Sequence, residues 1–168
     1  MRISSGLAED AVRLWPAIGS LTTVEGDAGL GIASRKLRDT YGRMQHEDRI
    51  IDIAILLEST LLHGIGQELN YRFALRGSLL LREVRDPTTS FDEFRRLYKV
   101  RSQIVHEGAR LKDILRGSGE TPVEFVDHAL GLARDTLRLL FVEVEQGTSL
   151  AAVLERIDRQ AIVGPSRR

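Results

Sequence analysis

Arg101 and His106 are separated by four residues, and their side chains are two of those best suited to work on a phosphate. Histidine titrates near neutrality and can move protons, and the planar guanidinium of arginine can hold two oxygens at once. Five positions correspond to about 140° around an α-helix, so the two side chains are not neighbours on one face. Ser102 and Gln103, at four and three residues before His106, share its side instead. Arg101 falls inside an apolar stripe made by Phe94, Leu97, Tyr98, Ile104 and Val105. Two further charges break the pattern of their own helices: Arg76 among Leu69, Phe73 and Leu80, and Glu58 among Ala54, Leu61 and Leu62. An unpaired buried charge is costly, so the three are expected to meet, with Glu58 pairing with Arg76 or Arg101. Taken alone, such a pair can equally be a structural device that fixes helix register. A histidine near a helix C-terminus can equally be a residue that complements the helix dipole.

The elements that must position these residues are helical throughout. A helix is expected over Ala28 to Met44 with Asp27 as N-cap, and a clearer one over Glu47 to Leu62, stopped by Gly64 and Gly66. The second contains the nearly unbroken apolar run from Ile50 to Leu57, so it should lie at the centre of a bundle. Glu68 to Val84 repeats the pattern and ends before Asp86-Pro87. A fourth helix is expected with Ser90 as N-cap and Glu93 completing a capping box, running to about Glu107 and stopped by Gly108. A short amphipathic piece at Leu111 to Leu115, a long helix from Pro122 to Glu145 and a last one over Leu150 to Ile157 complete the reading. No β-alternation occurs, which predicts an all-α antiparallel helical bundle. Residues 1–26 read as an irregular arm with a short helix at Ala8 to Leu14. Residues 27–160 form the helical domain, and residues 161–168 are a disordered tail.

Composition narrows the chemistry. The chain has 168 residues, enough for one domain, and no cysteine, which removes disulfides, thiolate-held zinc and thiol nucleophiles. Lysine plus arginine equals aspartate plus glutamate at 24 each, so overall charge makes no case for nucleic acid. No apolar stretch of about 18 residues and no signal-peptide start is present, and a cytoplasmic protein without membrane contact is expected.

The string from Tyr98 to His106 resembles the end of an ApeA-like HEPN domain, where a Tyr-x-x-Arg-Ser-x-Ile-Val-His-Gly pattern recurs. Two upstream strings resemble the same group in the same order. Asp48 to Glu58 is similar to its "Arg-Leu-Ile-Asp, then Ala-Leu-Glu" helix, and Glu68 to Arg76 to its "Glu-Leu-Ser-Tyr-Arg, then Ala-Leu-Arg" helix. The resemblance covers roughly Asp27 to Gly108. It implies a HEPN-like fold, a homodimer in which two motifs face each other, and metal-independent endoribonuclease activity on single-stranded RNA in a toxin or defence role. No cofactor is implied. Control by a regulatory partner protein or a missing N-terminal domain fits such a role.

RNA carries its own nucleophile in the 2′-hydroxyl, so cleavage needs only proton transfer and stabilisation of the charged intermediate. The resemblance then implies His106 as general acid/base, Arg101 as phosphate ligand, Ser102 as a supporting hydrogen bonder, and Glu58 and Arg76 as residues that orient Arg101. Lys99, Arg72 and Arg110 are the expected RNA-binding residues, because Asn70 to Lys112 carries ten basic residues against five acidic ones. Two positions depart from the pattern: Glu107 replaces the usual glycine, and Ser102 stands where many active members have Asn, Asp or His. Both favour the alternative, a non-catalytic HEPN module for dimerisation or nucleotide or RNA binding.

Overall fold

The apolar run of the second helix dictates the architecture. In the computed structural model, which describes residues 28–163, Ile50, Ile53, Leu56, Leu57 and Leu61 are all completely buried. The helix that carries them, α2 (His46–Leu61), follows α1 (Ala28–Gly42) and packs against it and three later helices. These are α3 (Leu69–Leu81), α4 (Pro87–Glu107) and α6 (Pro122–Glu145), with α5 (Leu111–Ile114) and α7 (Leu150–Val163) completing the chain. All regular structure among the described residues is helical, and the fold is an all-α bundle. No described helix is long and apolar enough to cross a membrane.

Side-chain pairings give the directions. Ser59 reaches the Gly29 carbonyl while Lys36 reaches Asp52, so α1 and α2 run antiparallel. Glu58 meets Arg101 while Glu47 accepts from the Leu111 backbone N–H, so α2 also runs against α4. Between α3 and α4, the rings of Phe94 and Tyr98 lie 5.4 and 5.7 Å from that of Phe73. The Phe94 ring edge approaches α3 where Gly77 has no side chain.

Several boundaries differ from expectation for local reasons. α4 begins at Pro87, not after Ser90: Asp86 is its N-cap, accepting from the Thr89 N–H at 2.8 Å, and proline suits a first turn that needs no N–H donor. Ser90 is buried inside the helix. α1 stops at Gly42, leaving Met44 exposed, and α3 stops at Leu81. α7 continues to Val163, past the expected end at Ile157, so residues 161–163 are helical rather than part of a tail. α6 has its expected bounds and a complete Thr121–Glu124 capping box. The expected arm, the Ala8 to Leu14 helix, the Asp27 cap and the tail from Gly164 lie outside the described residues.

Candidate functional site

The C-terminal half of α4 carries Arg101 and His106, while Glu58 lies on α2 and Arg76 on α3. Phe94 and Leu97 are fully buried and fix the rotation of the helix, which turns Arg101 toward α2. Gly108 ends the helix in the left-handed region at φ 63°, its N–H donating to the Gln103 carbonyl. That geometry suits glycine and leaves His106 in the last turn, exposed, its side chain without a hydrogen bond or ion pair among the described residues.

Arg101 Nη2 lies 3.4 Å from Glu58 Oε2, one of the two pairings expected for Glu58. The contact is single and long. Glu58 Oε1 and Arg101 Nε are both shielded from solvent without a hydrogen-bond partner. Burial pushes the Glu58 carboxyl above the usual carboxylate range, with Arg101 opposing that shift. An unsatisfied buried polar atom costs about 1–3 kcal/mol, so this pair stands in a state that another hydrogen-bonding group would improve.

Arg76 does not join them. Its Nε and Nη2 hold both oxygens of Asp158 on α7 at 2.9 and 2.7 Å, and Nη1 donates to the carbonyls of Leu61 and His63. The three charges expected to meet therefore divide into two separate pairs, because Asp158 offers Arg76 a forked partner that Glu58 does not. Arg76 is a clamp between α3, α7 and the end of α2, and its role of orienting Arg101 has no contact to support it. Its side chain is 5 % exposed, against 22 % for Arg101. A ligand can reach only the second without unfolding something.

Other expected residues are dispersed. Ser102 and Gln103 are half-buried beside His106. Val105, assigned by periodicity to the buried stripe, is 45 % exposed, since no described helix covers the edge of α4 at this level. Lys99 and Arg110 are exposed and free of ion pairs among the described residues, whereas Arg72 lies 3.8 Å from Glu68. The basic zone is largely neutralised: Arg82, Arg85 and Arg96 pair with Glu83, with Asp135 and Glu93, and with Glu120.

Two charged residues outside the expected set matter to the frame. Asp52 is buried on α2, where Lys36 and Arg43 each bond one of its oxygens at 2.7 Å. A charge inside the run Ile50-Ile51-Asp52-Ile53 was its visible signal. Asp158 follows Ile157 at the edge of the apolar face of α7. Among the described residues no group of three or more His, Asp or Glu side chains could hold a metal ion. No family model matches the chain, and no match is found among curated proteins or solved structures.

Proposed function

We propose that this protein is a HEPN-type endoribonuclease that cleaves single-stranded RNA without a metal, in a toxin or defence role. The observation that carries the reading is the contrast between its two pattern-breaking arginines. Arg76 makes four hydrogen bonds, while Arg101 keeps one long contact and partial exposure on the helix that ends in an unpartnered His106. In this reading Arg101 binds the phosphate through its free donors, and His106 moves the protons of 2′-hydroxyl attack and 5′-oxygen departure. Glu58 positions the guanidinium, and Ser102 adds a weak hydrogen bond.

The two motif side chains point about 140° apart on one helix, which argues for completion of the site by a second copy. Exposed Val105, one turn from Arg101 and adjacent to His106, supplies an apolar element for such a contact. The three strings similar to ApeA-like HEPN domains support the same assignment. One observation favours the second reading, a HEPN module that dimerises or binds RNA without cutting: Glu107 is exposed directly beside His106, where it would repel phosphate.

Incubation of the purified protein with single-stranded RNA in the presence of EDTA should yield 2′,3′-cyclic phosphate ends, with a dimeric mass. His106→Ala and Arg101→Ala should each abolish cleavage; the exposed His106 should leave the melting temperature unchanged, whereas Arg101→Ala strands the half-buried Glu58 and should lower it. Undiminished cleavage by His106→Ala would refute the site, and RNA binding without cleavage by the unmodified protein would establish the second reading.

A further inference from the structure

The N-terminal half of α4 borders a feature that the proposed reaction does not use. An open groove of about 610 Å³ is lined by Glu68, Leu69, Asn70, Tyr71, Phe91 and Arg95. Its chemistry is mixed in a particular way. Tyr71 is 54 % exposed and its ring stands edge-on to Phe91, with centroids 5.9 Å apart. The Arg95 guanidinium lies 5.8 Å from the Phe91 centroid and makes no ion pair among the described residues. Asn70 also lines the groove, with its Oδ1 shielded from solvent. Glu68, the one non-glycine residue with positive φ among the described residues, at 53°, lines the groove with its carboxylate 3.8 Å from Arg72.

Helical spacing connects this groove to the candidate site. Arg95, Lys99, Ser102 and His106 follow one another at intervals of four, three and four residues. They therefore fall within about 60° on one side of α4 and span about 16 Å along it. Arg95 and Lys99 are exposed, and neither has an acidic partner among the described residues. The span fits at most about five nucleotides at a stacked rise of about 3.4 Å. An aromatic surface at one end of an unpaired basic stripe is the combination that holds single strands, with bases on rings and phosphates on cations.

Resting on the ribonuclease reading above, we infer that the Tyr71–Phe91–Arg95 groove is a nucleobase subsite. It anchors one base of a single-stranded RNA whose backbone runs along Arg95 and Lys99 toward His106. The base stacks on Tyr71, Arg95 takes the adjoining phosphate, and Glu68 accepts from the base's N–H groups. The carboxylate of Glu68 thus meets donors rather than phosphate. This subsite serves retention of the strand and not the proton transfers.

The test is fluorescence anisotropy with a labelled 2′-O-methyl RNA strand, which has no free 2′-hydroxyl and cannot be cut by this route. Tyr71→Ala should weaken binding by about 5- to 150-fold. Arg95→Ala should weaken it less and lower the slope of log affinity against log salt by about 0.7. Arg95 is exposed, so its removal should not move the unfolding temperature, whereas Tyr71→Ala loses the edge-on contact with Phe91 and should lower it by only a few degrees, leaving the protein folded for the assay. Unchanged affinity of Tyr71→Ala overturns the subsite while leaving the cleavage reading intact. Tyr71-dependent binding by a protein that never cuts RNA upholds the subsite and overturns the ribonuclease. A free mononucleotide binding as tightly as the strand, or no binding of either, overturns the path along α4.

Discussion

Gly77→Ala tests the packing that aims α4. The added methyl carbon would lie 2.5 Å from Phe94 Cε2, 2.6 Å from Cζ and 2.7 Å from Cδ2. Carbon atoms in contact settle at about 3.5–4.0 Å, so helix or ring must give by about 1 Å. The ring has little freedom, being fully buried and edge-on to Phe73 at 5.4 Å. Overpacking typically costs about 1–3 kcal/mol, and three simultaneous contacts on a confined ring place this case at the upper end. Better helix propensity offsets about 1 kcal/mol of that. The net loss of about 2 kcal/mol corresponds to about 4–8 °C in Tm for a chain of this size. Gly31 in α1 is the control: a Cβ there meets nothing within 4 Å, so Gly31→Ala should raise Tm by a few degrees. Thermal and urea unfolding followed by circular dichroism measure both. In a Phe94→Leu background the further change Gly77→Ala should cost almost nothing, since the ring edge is gone. Gly77→Ala as stable as the parent, or an equal penalty with and without the ring, would refute the account of how α3 holds α4.

The remaining predictions concern charge. Arg76→Met strands the partly buried Asp158 and the Leu61 carbonyl and should cost about 3 kcal/mol in urea unfolding, whereas Arg82→Ala at the exposed Glu83 pair should cost under about 1 kcal/mol. Asp158 is held below the usual carboxylate range by its hydrogen bonds to Arg76. Asp52 is pushed up by burial, but its bonds to Arg43 and Lys36 bring it below that range too. Lowered folded pKa values stabilise the native state above the ordinary carboxylate pKa, and that stability is lost as pH falls through the folded values. Glu58 works in the opposite sense, because its raised pKa lets the native state bind the extra proton. Relative to Glu58→Gln, the parent should therefore lose stability as pH rises from the ordinary carboxylate pKa through the raised one. A flat difference curve across that window would show that Glu58 is not desolvated.

Much of the bundle was readable because its signals are local. The apolar run of α2, the Thr121–Glu124 box of α6 and the glycine that stops α4 each act within one or two turns. Asp86-Pro87 was ambiguous on physical grounds: proline both blocks the helix before it and suits the first turn of the helix after it. Val105 fits the periodicity of its stripe, but burial depends on what stands opposite, and periodicity within one helix carries no information about that.

The same limit explains the arginines. Arg76 and Arg101 look alike in sequence, each a lone cation on an apolar face, and each could take Glu58 as partner. What separates them is an aspartate 82 residues away from Arg76, delivered by α7. A guanidinium held by a forked carboxylate and two carbonyls can bind an anion only by giving up those bonds. Arg101 faces a smaller cost, because its side chain is partly exposed and its one contact, at 3.4 Å, is near the limit of a hydrogen bond. Pattern-breaking charge therefore marks both a structural clamp and a candidate site, and the number of hydrogen bonds each cation already makes distinguishes them. By that criterion the residue left with something to gain from a phosphate or a second chain is Arg101.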